Sequence, residues 1–143
     1  MDAQIKQRYI DAYWHYYRTN YPEAAKASVG RKVDVPKVNT ANGLTSFITK
    51  YLFHMGHRAT RINVMGRKIG NKFIRSTTRK GSADISATIN GRSVMLEIKI
   101  GKDRPRPEQL REQELERKAG GIYEFVGMPE QFFEIYDLLT KTK

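Results

Sequence analysis

Asp84, Glu97 and Lys99 are the residues whose types and spacing could do chemistry together. Asp84 stands directly before Ile85 to Ile89, a run rich in β-branched residues that reads as a strand. Asn90-Gly91 is a strong signal for a type I′ hairpin turn. Ser93 to Ile100 reads as the returning strand, with Val94, Met95 and Leu96 too apolar for an exposed edge. Such a hairpin brings Asp84 beside Glu97 and Lys99. Side chains alternate along a strand, so Glu97 and Lys99 share a face while Ile98 points to the core. Mg²⁺ is a hard cation that takes carboxylate oxygens and keeps several waters. Asp84 and Glu97 suit it, with the Ile98 carbonyl as a further ligand. A cation held there makes a coordinated water more acidic and better placed to attack phosphorus. Lys99 would orient that water or balance charge growing on phosphoryl oxygens. Set against this, Glu-x-Lys on a strand is also the pattern of an ordinary solvated cross-strand pair.

The elements that must position these residues follow from periodicity. Ile5, Tyr9, Ala12, Tyr13, Tyr16 and Tyr17 recur at helical spacing over residues 3–19. The aromatic stripe of that helix suits packing against the body or a second subunit, and base stacking is the alternative. Residues 20–40 hold Pro22, Gly30 and Pro36 and read as an irregular connection with one helical turn near Glu23 to Lys26. Leu44, Phe47, Ile48, Tyr51, Leu52 and Met55 form a helical face, capped by Thr40 or Asn42 and ended by Gly56. His57 to Arg67 reads as a first strand, and Gly66 to Gly70 as a turn or an excursion continuing to Lys80. Pro107 opens a helix over Glu108 to Ala119, stopped by Gly120-Gly121. Gln109 and Gln113 share one of its faces, and Arg111 and Arg117 are available to phosphates. Ile122 to Val126 is a short buried strand, and Pro129 opens a last helix with Phe132, Phe133, Tyr136 and Leu139 on its core side. The expected fold class is α/β (α+β), with residues 1–40 as an N-terminal helix and connection and 41–143 as the main domain.

The chain has 143 residues and a formal net charge of +11. From Val35 to Ala83 there is no Asp or Glu, but there are Lys37, Lys50, Arg58, Arg61, Arg67, Lys68, Lys72, Arg75, Arg79 and Lys80. A cationic field around an isolated acidic pair suits a polyanion held beside a metal, hence nucleic acid as partner, with Arg58, Arg61, Arg67, Lys68, Lys72, Arg75, Arg79 and Lys80 as the contacts. No apolar run approaches the length that crosses a membrane, and Met1-Asp2-Ala3-Gln4 lacks the basic start and apolar middle of a secretory leader. The chain has no cysteine, which fits a reducing cytoplasm and excludes disulfides and thiolate metal sites. His54 and His57 have no further partners in sequence that would make them metal ligands.

The order helix, strand, hairpin, helix, strand resembles the PD-(D/E)XK (restriction-endonuclease-like) nuclease core, and within it the small stand-alone, virus-type VRR-NUC domain. The residues carrying the resemblance are Gly81-Ser82-Ala83-Asp84, Glu97-Ile98-Lys99, and Pro107-Glu108-Gln109 with Gly120-Gly121. They lie within a stretch from about Asn42 to Val126. The resemblance implies a mixed sheet flanked by helices and a Mg²⁺- or Mn²⁺-dependent DNA endonuclease. Asp84 and Glu97 would be ligands, Lys99 the catalytic lysine and Gln109 a supporting glutamine. It further implies branched, flapped or junction DNA, a homodimer, and the cytoplasm of a bacterial or virus-infected host cell. Ala83 stands where the family usually has proline. Asn42 stands nearest to where relatives often place a glutamate on the first core helix, and an amide binds a cation more weakly. A nucleic-acid-binding module with a degenerate nuclease core is therefore the alternative, and a nuclease acting on RNA a third.

Overall fold

A computed structural model describes residues 1–62, 67–70, 72–74 and 81–141 of the chain. Helix α1 spans Ala3–Asn20 and starts on Asp2, whose carboxylate accepts from the Gln4 N–H at 2.7 Å. A short α2, Pro22–Ala27, follows where one helical turn is expected. Helix α3 spans Ala41–His54, and Thr40 is its cap, accepting from the Gly43 N–H at 3.0 Å. Leu44, Phe47, Ile48, Tyr51 and Leu52 are buried as the periodicity requires. Met55 is not; it lies past the last helical turn and is exposed.

Strand β1 covers Arg58–Arg61 only, shorter than the expected run to Arg67. Residues 67–74 correct a second expectation. Where a turn over Gly66 to Gly70 or an excursion to Lys80 is expected, Arg67–Ile69 forms β2, antiparallel to β3 Lys72–Ile74, with Ile69 paired to Lys72; Gly66 and residues 75–80 lie outside the described residues. Gly70 follows β2 at φ +59, and Gly-Asn is a hairpin dipeptide in the sequence. The main hairpin is as expected: β4 Ile85–Ile89, then Asn90 and Gly91 at φ +50 and +80, then β5 Arg92–Ile98. Positive φ at both central residues is what a type I′ turn needs. The return begins one residue early because a two-residue turn pairs Ile89 with Arg92. Helix α4 (Pro107–Lys118), strand β6 (Ile122–Val126) and helix α5 (Pro129–Lys141) complete the chain.

The main sheet has the order β1-β4-β5-β6, antiparallel except for the parallel β5–β6 pair that α4 connects. Helices flank this mixed sheet. Ile85, Ala87 and Ile89 of β4 and Val94, Leu96 and Ile98 of β5 share the face on which α1, α3 and α5 pack; all are buried. Tyr9, Ala12 and Val33 join Phe47, Ile48 and Phe133 in the same core, so the N-terminal forty residues and the rest share one interior. Arg8 fastens α1 to α5, donating from both terminal nitrogens to the Asp137 carboxylate and lying 4.0 Å from the Phe133 ring centre. The opposite face of the sheet carries α4. No helix among the described residues is long and apolar enough to cross a membrane.

Candidate active site

The β4–β5 register places Ile85 opposite Leu96, so Asp84 falls opposite Glu97 on the α4 side of the sheet. Asp84 sits just before its strand. Its carbonyl accepts the Ile62 N–H at 2.7 Å, and its Oδ2 accepts the Ile98 N–H at 2.8 Å. A carboxylate thus takes the ladder bond that β4, already ended, no longer supplies. The N–H and C=O of one strand residue point to the same side, so the Ile98 carbonyl also faces Asp84.

The approach to Asp84 is held tightly. Gly81 adopts φ +88, and a Cβ there would lie 2.5 Å from the Glu108 carbonyl oxygen on α4. Only glycine fits that backbone-to-backbone contact. The Gly81 carbonyl accepts the Tyr123 hydroxyl at 2.9 Å. Tyr123 pairs with Met95 and Phe125 with Glu97, so both aromatic rings lie on the carboxylate face. Burial raises the Tyr123 hydroxyl pKa, and the negative charge of Glu97 and Asp84 raises it further.

Glu97 is 5 % exposed, far from the solvated cross-strand residue that Glu-x-Lys usually marks. Its Oε2 accepts from Gln109 Nε2 at 3.0 Å and lies 3.5 Å from Lys99 Nζ. Burial first, and the Asp84 charge next, push its carboxyl up to about 7 against the pull of Lys99. Lys99 is itself buried and lies 3.6 Å from Asp103 Oδ2, so its ammonium spans two carboxylates. Gln109 is buried on the first turn of α4, and its Oε1 accepts the Arg106 N–H at 2.9 Å. One amide thereby caps the helix and tethers Glu97.

Asp84, Glu97, Ile98, Lys99 and Gln109 are thus gathered in one place. Asn42 is not turned to them: its Oδ1 accepts from Arg61 Nη2, so the oxygen a cation would need is engaged by a guanidinium. Arg58 and Arg61 are exposed but face opposite ways, since Arg58 pairs with Thr88 and Arg61 with Ile85. Arg58 reaches Ser86 Oγ at 3.3 Å on the Asp84 face. Arg67 and Lys68 lie on β2 and Lys72 on β3; Arg75, Arg79 and Lys80 lie outside the described residues. Arg117, read as free for phosphates, is bonded to Glu124 at 2.7 Å. His57 Nε2 lies 3.0 Å from the Tyr136 hydroxyl, in hydrogen-bond contact.

Sequence reasoning missed Asp103 and Tyr123. Alternation along Ile122 to Val126 could have found Tyr123 by putting it on the face of Glu97. Asp103 lies in a loop, where no period applies. As for a metal, the donors are hard oxygens, and the repulsion between the Asp84 and Glu97 carboxylates is one that a cation would relieve, so the residues fit Mg²⁺ or Mn²⁺. Among the described residues no group of three or more His, Cys, Asp or Glu could hold one, so protein donors there would be two carboxylates and a carbonyl. The chain matches no protein-family model, no curated protein and no solved structure.

Proposed function

We propose that this protein is a divalent-metal-dependent DNA endonuclease, built on a restriction-endonuclease-like variant of its mixed sheet. The observation that carries the reading is the buried Glu97, set beside Asp84, Lys99 and Gln109 in one pocket. A carboxylate so costly to ionise serves a cation better than it serves the fold. Asp84, Glu97 and the Ile98 carbonyl would hold Mg²⁺ or Mn²⁺, which when bound supplies Lewis acidity for phosphodiester hydrolysis. Lys99 sets its side-chain nitrogen beside the reacting phosphate and stabilises its oxygens as negative charge grows. Gln109 fixes the Glu97 rotamer. Arg58, on the same face, binds a phosphate along the strand.

The test is cleavage of labelled duplex, single-stranded, flapped and four-way-junction DNA, with matched RNA, in Mg²⁺, Mn²⁺ or EDTA, for the wild type and Asp84→Ala. Metal-dependent cutting that the variant loses supports the reading, and cutting unchanged in the variant overturns it. The second reading, a binding module with a degenerate nuclease core, is favoured by one observation: Asn42 turns its oxygen to Arg61 and adds no donor to Asp84 and Glu97. It expects salt-sensitive binding indifferent to Mg²⁺ and no hydrolysis.

A further inference from the structure

The ends of α1 and α3 and the start of β1 enclose a groove of about 540 Å³, away from the carboxylates. Its wall is aromatic. Phe53 is 55 % exposed, an unusual state for an apolar ring, and Tyr16 lies beside it with ring centres 4.9 Å apart. His54 stands 5.5 Å from Tyr16, and its buried Nδ1 has no hydrogen-bond partner among the described residues. No acidic residue lines the groove, and Arg58 closes one end. That arginine links two regions. It lines the groove, yet its guanidinium reaches Ser86, two residues from Asp84 on the same face of the sheet. Four residue steps along β1 lead from Arg58 to Ile62, whose N–H bonds the Asp84 carbonyl. At strand rise that is about 13 Å, a span that a few nucleotides of one strand can bridge.

We propose that this groove is a subsite for an unpaired base of a DNA strand, with Arg58 taking the phosphate that leads from the base towards the Asp84 face. The inference rests on nucleic acid being the partner and names the part of it recognised here: a strand with at least one unstacked base, as single strands and flaps provide. Every base has a π face, so Phe53 and Tyr16 accept any of the four. A base inside a duplex is already stacked and paired, so it gains nothing from the groove.

The test is fluorescence anisotropy in EDTA, where no hydrolysis occurs, of a labelled oligo-dT and of a blunt duplex of equal length. Wild type is compared with Phe53→Ala, Phe53→Leu and Arg58→Ala. Phe53→Leu keeps an apolar side chain and removes the ring, which separates stacking from folding. Both Phe53 variants are expected to weaken oligo-dT binding about tenfold and duplex binding less than twofold. Arg58→Ala is expected to reduce the salt slope of oligo-dT binding by about one. Equal losses on both ligands, or none on oligo-dT, overturn the subsite while duplex binding keeps the nucleic-acid reading. Failure of the wild type to bind either ligand overturns both. Sedimentation of the same samples covers a different occupant: a dimer that Phe53→Leu dissociates, with oligo-dT affinity unchanged, makes the groove a subunit interface and overturns the proposal.

Discussion

Gln109 and Glu97 are joined side chain to side chain, Nε2 to Oε2 at 3.0 Å, although they lie on different elements and in different layers. The bond couples the start of α4 to the pocket. Replacing Gln109 by Leu removes the donor to a buried carboxylate and the acceptor for the Arg106 N–H at once. The expected loss is about 1–3 kcal/mol of stability, read by urea denaturation. A 10- to 100-fold fall in kcat/KM should accompany it. Stability unchanged in the variant would show that the amide merely covers the site.

Glu97 gives a pH signature. Its carboxyl is pushed up to about 7 in the fold from an ordinary 4.5. A raised pKa means the folded state holds the proton more tightly. The stability from this group is therefore fully present below about 4.5 and lost by the time pH rises through about 7. Glu97→Gln, which stays neutral, should be the more stable protein at pH 8 in EDTA, by on the order of 2 kcal/mol, and the advantage should vanish near pH 4. Thermal melts of both proteins across that range check it.

Cation binding should repay the same strain. Mn²⁺ at pH 8 is expected to raise the Tm of the wild type by several degrees and to leave Asp84→Asn and Glu97→Gln unmoved. Under the same conditions Asp84→Ala, Glu97→Ala and Lys99→Ala should each abolish cleavage. A Tm shift shared by all the proteins would mean the cation binds elsewhere.

The Arg8–Asp137 pair is structural, and its pH dependence runs the other way. The hydrogen bond from Arg8 holds the Asp137 carboxyl below its ordinary range. Its stabilisation is present above pH 4 and lost as pH falls through the lowered value. The pair is partly exposed, so Asp137→Asn should destabilise by only about 1 kcal/mol at pH 7. The difference should shrink in high salt and close in acid, as urea titrations would show.

Gly81→Ala is expected to be severe for a surface-loop substitution. The new methyl meets the Glu108 carbonyl at 2.5 Å with the backbone at φ +88. The expected cost is at least about 2 kcal/mol, with Mn²⁺ affinity falling as Asp84 is displaced. Melting and metal titration measure the two effects separately.

Much of this was legible in the sequence because it is local. Asn90-Gly91 and the β-branched run set the hairpin, and alternation put Glu97 and Lys99 on one face. The apolar stripes of α3 and α5 located the core, Met55 excepted. What was not legible depends on contacts across the fold. Nothing along the chain says that the Tyr123 hydroxyl reaches Gly81 or that Arg61 claims Asn42. The charge run from Val35 to Ala83 is plain in the sequence, but Arg58 and Arg61 are divided between two faces by the pleat of β1. The β2–β3 ribbon was hidden for a further reason: its strands are three residues each, too short for any period to declare itself.

The two-residue turn at Asn90-Gly91 acts as a ruler. Thirteen positions separate Asp84 from Glu97, and the pairing of Ile89 with Arg92 fixes the count. Deleting one residue from β5 would carry Ile98 into the carboxylate pocket and turn Glu97 to the core face, among the α3 side chains. The site can therefore drift by substitution, but a length change between Asp84 and Lys99 is admissible only in matched pairs, one residue on each arm. Among divergent descendants of this chain, that interval should be the stretch where insertions and deletions are rarest.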